Sequence, residues 1–267
     1  MPQEGVTVGF AARRRALVWI GAYVAASGVV LVVGREAYLA VVHLLLLALI
    51  AWSGSSERAI GRFIGDAAPL VIAVALYPEI PRLIAVLGTS YHDLAIQHLE
   101  QLVFGMQPAR TFARAVPVPW LSEVLHAGYM LFYPLIFVPP LLLYVRGERH
   151  AFAETIYALT VTWIVCWTCF VLFPVEGPRY LWGTPTGVPD GPIRRLADGI
   201  VAAGSSRGAA FPSSHMAVSV VQTIVALRWQ RRVGVVCAVV TVLVGFGAVY
   251  DGFHYGTDMV AGAVVGA

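Results

Sequence analysis

Apolar runs long enough to span a bilayer recur along the whole chain, and most charges fall between them. A helix rises ~1.5 Å per residue, so roughly 20 residues cross a hydrocarbon core of ~30 Å. By that measure Arg15–Gly34 is a first crossing, and Ala37–Trp52 a second, slightly short one. Phe63–Tyr77 is a third, interrupted by Pro69 and stopped by Pro78 and Pro81. Trp120–Val145 and Ala151–Phe173 come next, then the paired runs Met216–Leu227 and Val233–Tyr250. A last run begins near His254 and is short before Ala267, which fits a helix partly buried by protein or a chain that continues. The expected fold is therefore all-α: a polytopic membrane helical bundle.

Composition supports this class. Of 267 residues 58% are hydrophobic and only 12% charged, with mean hydropathy +0.76. The net charge of +3 is too small and dispersed for nucleic-acid binding. Cys166 and Cys169 have a Cys-x-x-Cys spacing, but their neighbours Trp163, Trp167 and Phe170 point to packed transmembrane cysteines rather than redox or metal chemistry. Arg13-Arg14-Arg15 and the run after them suit an uncleaved first helix better than a secretory signal. His43, inside the second run, is expected to be a helix-packing histidine.

The segments between crossings differ in character. Residues 1–12 are expected to be a short tail, and Ser53–Arg62 a polar linker. Tyr91–Phe104 carries Leu94, Leu99, Leu102 and Val103 with His92, Asp93, His98 and Glu100 between them, the pattern of an amphipathic helix lying at the interface. Tyr133, Pro134, Pro139 and Pro140 predict a kink in the fourth crossing. Pro174–Ala210 is a Gly/Pro-rich loop in which Ile193, Leu196, Ile200 and Val201 can line one face of a short helix. Arginines clustered in short turns orient the chain with its N-terminus in the cytoplasm. An inner (plasma) membrane of bacterial type is the expected location.

Parity then brings three places to one side, facing the periplasm or exterior. The first is Pro212-Ser213-Ser214-His215, where a helix start offers free amides and hydroxyl donors to an anion. His215 at its rim could, as an imidazolium, donate a proton to a leaving-group oxygen, or it could be a histidine that merely snorkels. The second is His254 with Asp258, whose i, i+4 spacing puts them on one helical face. A carboxylate on one ring nitrogen frees the other as nucleophile or base, although a structural pair or half a metal site would look the same. Tyr250 and Asp251 lie just before this pair, as rim residues with no assigned role. The third place is Arg179, whose guanidinium can grip two phosphate oxygens or a lipid headgroup; Arg207 is a further candidate.

On these residues the chain resembles the type 2 phosphatidic acid phosphatase superfamily, over roughly residues 63–267. That family carries a Lys-plus-Arg-Pro element, then Pro-Ser-Gly-His, then Ser-Arg-x5-His-x3-Asp. Pro212-Ser213-Ser214-His215 differs from the second signature only at Ser214, His254 and Asp258 end the third, and Arg179 stands at the first with Tyr180 in place of its proline. The resemblance implies a six-helix core over 63–267, with residues 1–62 adding a tail and two accessory helices. It makes His254 the nucleophile that forms a phosphohistidine, Asp258 its orienting partner and His215 the acid. Arg179, Ser213 and Ser214 would bind phosphate, and no metal or other cofactor is implied. The signature lysine would fall at Leu172 and the Ser-Arg at Gly247-Ala248, so two cations are missing, and Arg207 could replace one.

The reduced third signature and the two extra helices look like the branch containing inositol phosphorylceramide synthases, which pass the phospho-headgroup to an alcohol. Metal-independent hydrolysis of a membrane lipid phosphate or pyrophosphate is thus the first expectation and lipid phosphotransfer the alternative. A transporter or channel, or a zinc hydrolase using His215, His254 and Asp258, is the competing class. The oligomeric state stays open, with Gly262 and Gly266 offering a small-xxx-small packing face.

Overall fold

A computed structural model describes residues 2–56, 58–185 and 187–267. Met1 in the expected tail, Glu57 in the expected linker and Thr186 in the expected loop lie outside them. Among the described residues the regular structure is all helix, joined by loops, with one isolated parallel bridge from Val175 to Ala209. Five helical segments are long and apolar enough to cross a membrane, six if one bent pair counts as a span. The chain is an integral membrane protein: large apolar side chains such as Val33, Leu44, Val145, Leu172 and Val236 are exposed along these segments, where lipid is the solvent that tolerates them.

Helix α1 (Pro2–Val33) begins at Pro2, so the expected tail is helical. Helix α2 (Ala37–Ser55) returns beside it. His43 ties these two helices to each other and to the third span. Its Nδ1 bonds Leu39 O, and its Nε2 lies 3.0 Å from Ser27 Oγ and 3.3 Å from Glu79 Oε2. Helix α3 (Ala59–Leu76) ends just before Pro78, but the third span does not stop there as expected. A 3-10 turn, Tyr77–Glu79, absorbs that proline and helix α4 (Ile80–Leu87) continues the span. Pro78 and Pro81 sit in the first turns of new helical segments, where a missing N–H costs nothing.

Helices α5 (Asp93–Phe104) and α6 (Pro108–Ala115) are short and precede the bent pair α7 (Pro119–Met130) and α8 (Phe132–Val145). The bend of 44° falls at Leu131. Pro134 explains its position: its ring would clash with the carbonyl four residues earlier, at Met130, so the helix restarts there. Pro139 and Pro140 lie inside α8. Helix α9 (Arg149–Leu172) is the central span, against which α1, α3, α4 and α8 pack. Cys166 is buried in the core, Cys169 is half-buried, and both are free.

After α10 (Pro178–Trp182) and α11 (Pro192–Gly204) come α12 (Ser214–Trp229), α13 (Arg231–Tyr250) and α14 (Gly256–Gly266). In α11 the buried stripe is Ala197 and Val201, whereas the expected face members Leu196 and Ile200 are exposed. The Gly262 and Gly266 face is spent inside the chain. A methyl group on either would run into the backbone of α12, at Ser213 O and Ala217 O respectively. That contact holds α12, which carries His215, at backbone distance from α14, which carries Asp258.

Candidate active site

His254 precedes α14 rather than sharing its face. The helix N-cap is Tyr255, and Asp258 in the first turn reaches back, accepting the Tyr255 N–H at 2.8 Å and lying 3.3 Å from His254 Nδ1. The same Nδ1 lies 3.1 Å from Ala210 O. A backbone carbonyl only accepts, so Nδ1 carries the proton and the neutral ring presents the Nε2 lone pair. Nε2 faces Ser213 Oγ at 3.5 Å.

Helix α12 starts beside it. Ser213 is its N-cap, its Oγ accepting Met216 N–H at 3.3 Å, and Pro212 lies one residue before the cap rather than in the first turn. The Ser213 N–H bonds Asp258 O at 3.0 Å, which locks the two helix starts together. The His215 and His254 rings stand edge to face with centroids 5.5 Å apart. Tyr129 Oη lies 3.0 Å from His215 Nε2.

Arg179 comes after Gly177-Pro178, and Gly177 adopts φ +95°, a conformation that strains any residue with a Cβ. Arg179 Nη1 donates to Ser205 Oγ at 3.2 Å, and among the described residues no carboxylate pairs with it. Arg207 differs: it forms an ion pair with Glu176, which raises its pKa, and its side chain is 57% exposed. Leu172, where the signature lysine would stand, is exposed. At Gly247 a Cβ would come 2.6 Å from Leu125 O, so a serine there has no room.

A cavity of ≈ 330 Å³ joins Arg179 to the two histidines, and Arg207, Ser213 and Asp258 are not in its lining. Arg179, Glu176, Ser205, Ser214, His215 and His254 line its polar part, and Ile136, Phe137, Trp163 and Trp167 its apolar part. The cavity can take an anion at the histidines and a hydrocarbon or ring system below. Among the described residues no three His, Cys, Asp or Glu side chains are arranged to hold a metal ion.

Other side chains hold this arrangement, and the sequence marked few of them. Helix α5 does expose Leu94, Leu99 and Leu102, as amphipathicity predicts, but Asp93 and Glu100 are buried against the loops of the candidate site while His98 stays exposed. Asp93 accepts the N–H groups of Glu176 and Gly177 at 2.9 and 3.0 Å and the Tyr255 hydroxyl at 3.2 Å. Glu100 accepts Thr257 N–H at 2.9 Å, capping the helix that carries Asp258; burial, opposed by that bond, pushes its carboxyl up to about 7. Asp251 meets His126 Nε2 at 3.0 Å in a fully buried pair, and burial pushes Asp251 up to about 6. Spacing along α5 was the one signal available: Asp93, Gln97 and Glu100 lie on one helical stripe.

The sequence profile of the PAP2 superfamily matches residues 94–267, about two thirds of the chain. The chain belongs to the PAP2 superfamily. Its members are phosphatases or phosphotransferases, so a phosphatase-type chemistry on lipid phosphates in general comes with that membership. Neither the curated proteins nor the solved structures provide a match.

Proposed function

We propose that this chain is a membrane lipid phosphatase that hydrolyses a lipid phosphate or pyrophosphate through a phosphohistidine on His254. One observation carries the reading: His254 Nδ1 faces a backbone carbonyl and a carboxylate, leaving Nε2 unprotonated at the cavity that Arg179 lines. Nε2 attacks phosphorus as the P–O bond to the lipid breaks, and His215 protonates the departing oxygen. Water then attacks the phosphohistidine, its proton passes to His215, the N–P bond breaks and phosphate leaves. Asp258 orients the nucleophile. Arg179, Ser213, Ser214 and the amides at the start of α12 hold the phosphate oxygens.

Arg207 is the proposed second cation: it pairs with Glu176, which lines the cavity, and would have to turn in from outside the lining to reach the phosphate. Activity lost in Arg179→Ala but kept in Arg207→Ala would remove it from the site. Residues 63–267 are the proposed catalytic core, with 1–62 accessory. The N-terminus is assigned to the cytoplasm and the site to the outer face of the plasma membrane, at the opposite end from the Arg13–Arg15 cluster.

A second reading, transfer of the phospho-headgroup to an alcohol or sphingolipid acceptor, is favoured by the cation-poor site. Leu172 points outward and Gly247 is closed against α7, as the resemblance to inositol phosphorylceramide synthases suggests.

The test is phosphate release from a panel of lipid phosphates in detergent with a chelator present. Release by the wild type that vanishes in His254→Ala is expected. Release that survives the mutation would sink the phosphohistidine, and headgroup exchange with an added alcohol in place of release would favour the transferase.

A further inference from the structure

The two histidines of the site are held through opposite nitrogens. His254 is held at Nδ1 and open at Nε2. His215 is engaged at Nε2 by Tyr129 Oη at 3.0 Å, while its Nδ1 is buried with no hydrogen-bond partner among the described residues. We propose that Tyr129 is the positioning residue of the acid–base histidine: its phenolic oxygen accepts the Nε2–H of His215 and so makes Nδ1 the nitrogen that exchanges protons with the reaction. This rests on the reading of His215 as the acid.

The surroundings fit that task. The His215 ring is stacked on Tyr129, with centroids 5.1 Å apart and planes at 28°, and Phe132 lies 4.3 Å away on the other side of the helix break. Residues 129 and 132 are three apart, one helical turn, so both rings face the same imidazole across the bend between α7 and α8. Tyr129 is itself only 2% exposed and packs against Phe253, next to the nucleophile. Its depth is set by the approach of α13 to α7. A Cβ at Gly247 would stand 2.6 Å from Leu125 O and 3.3 Å from Tyr129 Cβ, so the glycine is what lets Tyr129 sit where it does.

The proton inventory closes. The His215 imidazolium carries N–H at both positions. Its Nδ1 proton goes to the leaving oxygen as the P–O bond breaks and the N–P bond to His254 forms. The Nε2 proton stays on the ring, donated as a hydrogen bond to Tyr129 Oη, which fixes the neutral tautomer with Nδ1 bare. That nitrogen then accepts the proton of the attacking water. Tyr129 keeps its own proton throughout.

Leaving-group dependence tests this. The full chain and Tyr129→Phe, which keeps the ring, are assayed for kcat/KM on a long-chain alkyl phosphate and on p-nitrophenyl phosphate. This constant reports the steps up to phosphoryl transfer, and only the alkoxide needs a proton to leave. The variant is expected to lose ~10- to 100-fold on the alkyl phosphate and less than about threefold on p-nitrophenyl phosphate, a share of the ~10²-fold or more that a general acid contributes. In a His215→Ala background the second substitution should change neither. Equal losses on both substrates, or a loss that persists without His215, overturn the assignment of Tyr129. Equal losses on both substrates in His215→Ala itself, or a wild type that turns over neither, overturn the acid role and this inference with it. If Tyr129→Phe does not fold, nitrogen-15 NMR of the wild type decides: neutral His215 protonated at Nε2 supports the proposal, and protonated at Nδ1 refutes it.

Discussion

Asp93→Ala removes one carboxylate from the junction of two loops of the candidate site. In the native chain that carboxylate, 6% exposed, accepts the N–H groups of Glu176 and Gly177 and the Tyr255 hydroxyl. Alanine leaves the two N–H groups without an acceptor, and the Tyr255 O–H with them, because Gln97 Nε2, 3.1 Å away, only donates to that oxygen; unlike the N–H groups, the hydroxyl can rotate. A buried donor left unsatisfied costs about 1–3 kcal/mol, so the two fixed N–H groups by themselves cost about 2–6 kcal/mol. The segment relieves this by leaving its place, and Arg179 goes with it. Backbone bonds from Val175 to Gly208 and Ala210 hold the other end, so the upper half of that range is not reached. A cost of about 3–4 kcal/mol corresponds to a fall of roughly 10²–10³ in kcat/KM at 1.4 kcal/mol per tenfold. Asp93→Asn, whose amide oxygen can accept one of the two N–H groups, should regain about tenfold. The assay is phosphate release from a lipid phosphate, with the elution volume in detergent as a check on folding. A folded Asp93→Ala chain within threefold of the wild type would refute the bracing role of α5.

The same geometry leads to three further outcomes. Glu100 has its folded pKa raised above its usual 4.5 to about 7, so its contribution to stability is complete below pH 4.5 and is lost as the pH rises towards 7; the thermal midpoint should fall across that window and fall less in Glu100→Gln, and an unchanged slope would refute it. Gly247→Ser forces a side chain into Leu125 O and should cost about 1–3 kcal/mol of stability while displacing Tyr129, read as a lower midpoint with reduced turnover; an unperturbed midpoint would contradict the close contact. His126→Ala strands Asp251 in a fully buried site and should cost about 3–5 kcal/mol, whereas Asp251→Asn, which removes the charge, should cost less; equal midpoints for the two variants would refute the ion pair.

The spans were legible because a bilayer leaves a one-dimensional trace: a run of apolar residues of a set length. Where the chain broke that trace, local rules misplaced the break. Pro78 looked like a stop, yet a 3-10 turn takes it up and the span runs on to Leu87, because the helix restarts with its prolines in positions that need no N–H. Amphipathicity found α5 as an interfacial helix with exposed leucines, but not that Asp93 and Glu100 on it are buried against the candidate site.

For the site, the local pieces could be read from the chain alone. His254 and Asp258 are four residues apart, and Ser213 caps the helix that starts with Ser214-His215; contacts of this range arise from backbone geometry. Everything that joins residues far apart depended on packing. Tyr129 meets His215 across 86 positions, Glu100 meets Thr257 across 157, and Asp93 meets Tyr255 across 162. No periodicity encodes such pairs, because each depends on how helices from different parts of the chain come together. The free nitrogen of each histidine is a tertiary outcome for the same reason. Ala210 O and Tyr129 Oη are brought to the rings by packing, and it is the partner at one nitrogen that determines what the other can do.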